Sequence, residues 1–265
     1  MLLLIDVGNT NTVFALYRER EPLGQWRLST ARERTAEEYA ALLIQLLTIG
    51  GFDHKGVGGV VISSVVPQTV FPLRKMSRTF FGREAFVVGE DVAIPIGNKL
   101  INPKEAGADR LVNALAAVRR YVPPLMIVDF GTATTFDIVD DEGAFLGGII
   151  APGINLSIEA LHRAAAKLPR IAVEPPPQVI GRSTVQAMQS GIFWGYVGLI
   201  EGLARRVQDE YGRSMTVIAT GGLAPLFARH CKVVEHVDPD LTMIGLVEIY
   251  LLNREIIRAG KKATQ

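Results

Sequence analysis

The chain opens with Met1–Tyr17, MLLLIDVGNTNTVFALY. Leu2 to Ile5 form a short apolar run that stops on Asp6. Gly8, Asn9, Thr10, Asn11 and Thr12 follow, and a second apolar run covers Val13 to Leu16. The pattern predicts strand, polar turn, strand. A tight hairpin needs only Gly with Asn or Asp, so this turn is oversupplied with hydroxyl and amide groups. Gly8 lets the backbone approach a ligand closely, and successive N–H groups beside Thr hydroxyls make a concavity that binds anions. Asp6 cannot take a phosphate, but it can hold a divalent cation, or that cation's water, which does. The competing reading is a polar turn that carries no chemistry.

The pattern recurs. Leu125–Val139 reads LMIVDFGTATTFDIV: apolar run, Asp129, Gly131, Thr132, Thr134, Thr135, then a strand from Phe136. The copies align as D-x-G-x-x-x-T, Asp6/Gly8/Thr12 on Asp129/Gly131/Thr135, 123 residues apart in a chain of 265. A repeat at nearly half the length predicts two related halves, each offering a phosphate-gripping hairpin to a shared cleft. It weakens the reading of a bland turn.

Composition agrees. At 265 residues and 48% hydrophobic, the chain can bury a large core and divides into two domains. We place them at 1–120 and 121–265, with Pro123-Pro124 as the hinge. A net charge of +1 and no basic run leave no field for nucleic acid. The single Cys231 allows no internal disulfide and fits a reducing, cytoplasmic setting. It reads as a small core residue. Asp6 interrupts the first apolar run too early for a signal peptide, and no apolar stretch reaches the length of about 18 residues that a membrane span needs.

Between the repeats, Trp26–Ser29 adds a third strand. Thr35-Ala36-Glu37-Glu38 has capping-box spacing and starts a helix that Gly50-Gly51 ends. Val57–Val66 reads as a buried strand whose Ser63-Ser64 end is either a ligand contact or an ordinary strand terminus. A helix from Gln68 to Phe80 and a strand at Phe86–Val88 complete a βββαβαβ order, which predicts mixed sheets flanked by helices. Asn102–Arg110 then leads into a helix with Asp109-Arg110 in its first turn. An Asp there is ordinary dipole chemistry. It is also a carboxylate able to act as a base, beside a guanidinium able to grip a carboxylate.

In the second half we expect a strand at Ala144–Ile150 and a helix from Leu156 to Ala166. A long helix capped by Ser183 or Thr184 runs to Tyr211, with Phe193, Trp194 and Tyr196 as core or subunit interface. The strand Thr216–Ala219 runs into Thr220-Gly221-Gly222, where a nucleotide's base or ribose can lie on backbone. A strand at Val233–His236 and a helix from Thr242 to Arg258 close the chain before a frayed tail, Gly260–Gln265. The chain has no P-loop, no G-x-G-x-x-G after a strand, no zinc-spaced His and Cys, and no G-x-S-x-G elbow.

Two Asp-led hairpins and a strand–Thr-Gly-Gly–helix resemble the actin, Hsp70 and sugar-kinase superfamily. Asp6–Val13 stands as its first phosphate motif, Asp129–Thr135 as its second, and Thr220–Leu223 as its adenosine motif. The resemblance implies two related ribonuclease H-like, actin-like ATPase domains of α/β class, with mixed β-sheets flanked by helices. Within it, the chain is similar over essentially its whole length to the type III pantothenate kinase family. The residues that carry this are Asp6-Val7-Gly8-Asn9-Thr10-Asn11, Gly107-Ala108-Asp109-Arg110, Asp129–Thr135, Gly147–Gly153, and Ile180–Thr184 followed by Gly191.

That resemblance implies ATP- and Mg²⁺-dependent phosphorylation of pantothenate, the first step of coenzyme A synthesis, by a cytoplasmic homodimer. By similarity, Asp109 accepts the proton, and Gly107, Ala108, Asp109 and Arg110 with Thr184 contact pantothenate. Asp6, Val7, Gly8, Asn9, Thr10, Asn11, Thr12 and Val13 hold ATP with Thr132, Gly221 and Gly222. Asp6 holds Mg²⁺ through water, and Asp129 a monovalent cation, potassium or ammonium. An aspartate's reference pKa of about 3.9 makes it a weak base, so orientation of the alcohol outweighs proton abstraction.

One departure stands at Leu100, where the family has a Tyr that touches pantothenate. Leu cannot donate that hydrogen bond, a loss of about 1 kcal/mol. The alternatives are a non-catalytic regulatory relative of the Bvg accessory factor kind, or a kinase for another small hydroxy acid or sugar. A structural role like that of actin or Hsp70 would need subdomains that this length does not provide.

Overall fold

A computed structural model describes residues 1–164 and 168–258. The expected helix end at Ala166 and the tail Gly260–Gln265 lie outside them. The chain forms two compact units, residues 1–96, 101–116 and the C-terminal helix in the first, residues 97–100 and 117–240 in the second.

In the first unit, β1 (Leu2–Val7), β2 (Asn11–Arg18) and β3 (Glu21–Ser29) form an antiparallel meander. β4 (Gly59–Ser64) and β5 (Ala85–Val87) add in parallel, giving the order β3-β2-β1-β4-β5. Between them run α1 (Ala36–Ile49), capped by the expected Thr35–Glu38 box, and α2 (Val70–Phe81). β1 does not alternate in polarity because both its faces are buried. Leu3, Ile5 and Val7 pack under α1 and α2, while Leu2 and Leu4 pack with Val112 and Leu115 of α3 (Ala108–Arg120).

The second unit repeats the plan. β6 (Leu125–Phe130), β7 (Ala133–Val139), β8 (Phe145–Pro152), β9 (Thr216–Gly221) and β10 (His236–Val237) stand in the order β8-β7-β6-β9-β10 with the same pairing senses. Met126, Val128 and Phe130 face α4 (Ile154–Ala164), α5 (Thr184–Tyr211) and α6 (Ala224–Ala228). Phe193 stacks on Phe227, with ring centroids 5.0 Å apart, and Tyr196 is buried with them, so these aromatics are core. Cys231 joins this core, and burial pushes its thiol up to about 12.

Three expectations change. The last helix, α7 (Leu241–Arg258), belongs to the first unit and not to a domain 121–265. Its Met243, Leu246, Val247 and Ile249 are buried against Leu2, Leu4 and Val61. At about 1.5–3 kcal/mol per fully buried side chain, that contact outweighs proximity in sequence. Second, the passage between units falls within α3, after Ala116, and not at Pro123-Pro124. The Pro124 carbonyl instead accepts from Thr216 N–H at 3.2 Å and opens the β6–β9 ladder. Third, β10 is only His236–Val237, without Val233 and Val234.

Candidate active site

In the first unit, Asp6 ends the β1 face that carries Leu2 and Leu4, level with Ser63 of β4. α3 packs on the same face, so its first turn brings Asp109 to Asp6. Asp6 keeps some exposed surface, yet its carboxyl is enclosed, and burial raises it to about 6. The Ser63 hydroxyl beside it pulls that value down, and the Asp109 charge pushes it up. Ser63 is fully buried, and its Oγ makes no hydrogen bond of regular geometry. Two like-charged carboxylates beside a buried hydroxyl fit a hydrated divalent cation. Among the described residues, no group of three or more His, Cys, Asp or Glu gathers to hold a metal. Asp6 is the carboxylate here that could hold such a cation, through its water.

The start of α3 shows why Gly precedes Asp109. Asp109 Oδ1 accepts the Arg110 N–H at 2.9 Å, so the carboxyl folds back over the helix end. A Cβ on Gly107 would stand 2.5 Å from that oxygen. Any other residue at 107 displaces the carboxylate.

The first turn, Gly8–Asn11, is closed by Gly8 N–H donating to Asn11 O at 2.9 Å. Asn9, Thr10 and Asn11 are exposed, whereas Val7 and Thr12 are buried. Thr12 Oγ1 lies 3.0 Å from Thr30 Oγ1, and the Thr30 hydroxyl donates to Gly8 O at 2.7 Å. That leaves Thr12 as the donor to Thr30, so it shapes the turn from beneath and does not face a ligand.

In the second unit, Gly131 N–H donates to Ala133 O at 3.0 Å, with Gly131 and Thr132 exposed. Here the expected alignment of the repeat slips by one residue. Val7 pairs with Thr12, but Phe130 pairs with Thr134, so the first turn has one residue more. The counterpart of Thr12 is Thr134, equally buried, and Thr135 matches Val13. Asp129 is level with Thr135 on one side and Thr220 on the other. A Cβ on Gly221 (φ +89°) would lie 2.7 Å from Asp129 Oδ1. The glycine leaves a cradle at that carboxylate, which fits a bound monovalent cation. Gly222 is exposed, with open space above its Cα.

The remaining expected contacts also lie in the second unit. Thr184 is exposed at the start of α5, next to the cap Ser183, which accepts from Gln186 N–H at 3.3 Å. Gly181 packs too tightly on the backbone of Gln186 and Ala187 to carry a Cβ. Leu100 donates its N–H to Asn98 Oδ1 at 3.1 Å and lies against Gly147 of β8. The structure thus joins Asp6, the first turn and Gly107–Arg110 in one unit. It puts Asp129, Thr132, Gly221, Gly222, Leu100 and Thr184 in the other. Sequence reasoning missed Thr30, and named Gly153 without its role; the two residues support the two turns. The signal was their shared position, one residue beyond the third strand of each meander.

Comparison with known proteins gives the family. The sequence pattern of the type III pantothenate kinase family matches residues 2–206. A type III pantothenate kinase of Paramagnetospirillum magneticum is 56% identical over 97% of this chain and 100% of its own. One from Caulobacter vibrioides is 54% identical over 96% and 98%. Among solved structures, a Baf family transcriptional activator from Campylobacter jejuni aligns with TM-score 0.60 at 20% identity, over 96% of this chain and 99% of its own. A 2-dehydro-3-deoxygalactonokinase from Sinorhizobium meliloti gives 0.56 at 12%, over 95% and 99%. These two show the shared fold alone. With the family pattern covering both aspartates of the first-unit site and the relatives spanning nearly the whole chain, the chain belongs to the type III pantothenate kinase family.

Proposed function

We propose that this chain transfers the γ-phosphoryl group of ATP to the primary hydroxyl of pantothenate, giving 4′-phosphopantothenate, the first step of coenzyme A synthesis. The observation that carries the reading is the meeting of Asp6 and Asp109 in the first unit of a chain of this family. In the transfer, the alcohol O–H breaks as its oxygen bonds to the γ-phosphorus, the bridging P–O bond breaks, and ADP leaves. Asp109 orients the hydroxyl and takes the proton late. Mg²⁺, when bound, supplies charge neutralisation on the phosphates. The N–H groups of the first turn hold phosphate; in the second unit, Thr132 is a nucleotide contact and Gly221 and Gly222 give adenosine a backbone surface. In the first unit, Arg110 pairs with the pantothenate carboxylate and Gly107 and Ala108 line the substrate. Asp129 holds potassium or ammonium, which the Gly221 cradle supports.

The same reading makes the protein a cytoplasmic homodimer. Leu146 and Ile150, on one face of the edge strand β8, are exposed, an apolar strip that a second copy would cover. No helix among the described residues is long and apolar enough to cross a membrane. A regulatory relative without turnover would have no use for Asp109 placed where its charge reaches the buried Asp6.

Asp109→Asn tests the assignment. We expect kcat to fall by about 10²–10⁴-fold, with ATP affinity measured by calorimetry unchanged. Near-wild-type turnover would remove Asp109 from the reaction.

A further inference from the structure

We propose that Thr30 is a positioning residue for the nucleotide, strapping the first turn into the shape that receives phosphate. The inference rests on the reading that Gly8–Asn11 holds ATP, and adds a residue outside that segment.

Thr30 is the first residue after β3 and reaches the turn twice. Its N–H donates to Thr10 O at 2.9 Å, and its hydroxyl donates to Gly8 O at 2.7 Å. The carbonyl and N–H of one trans peptide point in opposite directions. Tying the Gly8 carbonyl back to Thr30 therefore turns the Asn9 N–H away from Thr30, toward the exposed side. A carbonyl in that place would repel phosphate; an N–H attracts it.

The strap is itself braced. Thr12 Oγ1 donates to Thr30 Oγ1 at 3.0 Å. Beneath Thr12 lies the fully buried Tyr39 of α1, its hydroxyl next to Thr12 but without a hydrogen bond of regular geometry. The Arg34 guanidinium sits 5.2 Å from the Tyr39 ring centroid and donates to Ser29 O at 3.2 Å, fixing the β3–α1 connection that carries Thr30.

The test is calorimetry of ATP with Mg²⁺ on wild type, Thr30→Val and Thr30→Ser, followed by steady-state kinetics. Thr30→Val keeps the size and loses the hydroxyl. We expect ATP binding weakened and the KM for ATP raised about tenfold, the loss of one hydrogen bond to a ligand-shaping group. kcat and the KM for pantothenate should stay within about twofold, and Thr30→Ser should restore ATP affinity. The proposal is overturned if Thr30→Val binds ATP as wild type does, or if Ser and Val lose affinity alike. Should Thr30→Val not fold, Thr12→Val, which removes the donor to Thr30, is held to the same two outcomes. Wild type that binds no ATP overturns the parent reading as well, and so separates the two failures.

Discussion

The two hairpins share a topology, a starting Asp-x-Gly and a buried Thr, but they are supported in opposite ways. The first turn is tied by a side chain: Thr30 donates to Gly8 O and receives from Thr12. At the matching position the second turn has Gly153, whose backbone lies so close to the Thr132 carbonyl that a Cβ would overlap it. Tyr196 holds the residue before it, donating to Pro152 O at 2.8 Å. With glycine in place of Thr30, the second unit has no hydroxyl to meet Thr134, and Thr134 Oγ1 is buried without a hydrogen bond. One turn is set by hydrogen bonds and the other by steric contact. We expect the first to tolerate changes of volume and the second to tolerate loss of polar groups.

Gly153→Ala should break this contrast most visibly. Its methyl must push the 131–132 turn away, at a cost of about 1–3 kcal/mol or more. We expect kcat/KM for ATP to fall by roughly 10–100-fold, whereas Gly8→Ala, where a Cβ would lie 3.3 Å from Asn11 O, is milder. Equal effects would refute the steric account of the second turn. The matched pair Thr12→Val and Thr134→Val comes next. Losing a satisfied buried hydroxyl should cost about 1–3 kcal/mol in denaturant unfolding, and losing an orphaned one should be neutral or stabilising. The same sign at both sites would contradict the comparison.

Burial also holds the Asp-x-Gly carboxylate of the first unit, Asp6, at about 6. Its pKa rises on folding from about 3.9, so the folded state binds that proton more tightly. The stability this contributes is present below about pH 4 and lost as pH rises through about 6. Thermal unfolding of ligand-free protein should therefore show Asp6→Asn gaining on wild type as pH rises from about 4.5 to 7.5. A difference that does not change with pH would count against the buried carboxylate. The smallest effect belongs to Leu100→Tyr, which should lower the KM for pantothenate about fivefold, near 1 kcal/mol, by adding one hydrogen bond. An unchanged KM would detach residue 100 from the substrate.

The duplicated plan was legible because each copy begins with an apolar run ending in Asp-x-Gly, and hydrophobic runs report strands whatever surrounds them. Asp109 was legible from its place in the first turn of an alanine-rich helix, though only the packing of α3 on the Asp6 face shows what it opposes. The slip between Thr12 and Thr134 was hidden. Sequence spacing counts residues, whereas register depends on which turn the backbone adopts. α7 was assigned to the wrong unit since its apolar stripe does not say which sheet it covers. The support that Thr30 and Gly153 give was hidden, because their contacts reach a turn far away in sequence.

The most direct test is ADP release by the purified protein with ATP and Mg²⁺, with and without pantothenate, in potassium and then in sodium alone. The account predicts turnover that requires pantothenate and falls when potassium is removed. Pantothenate-dependent turnover indifferent to the ion would remove the cation role given to Asp129. Folded protein that releases no ADP with pantothenate in either salt would contradict the kinase assignment itself.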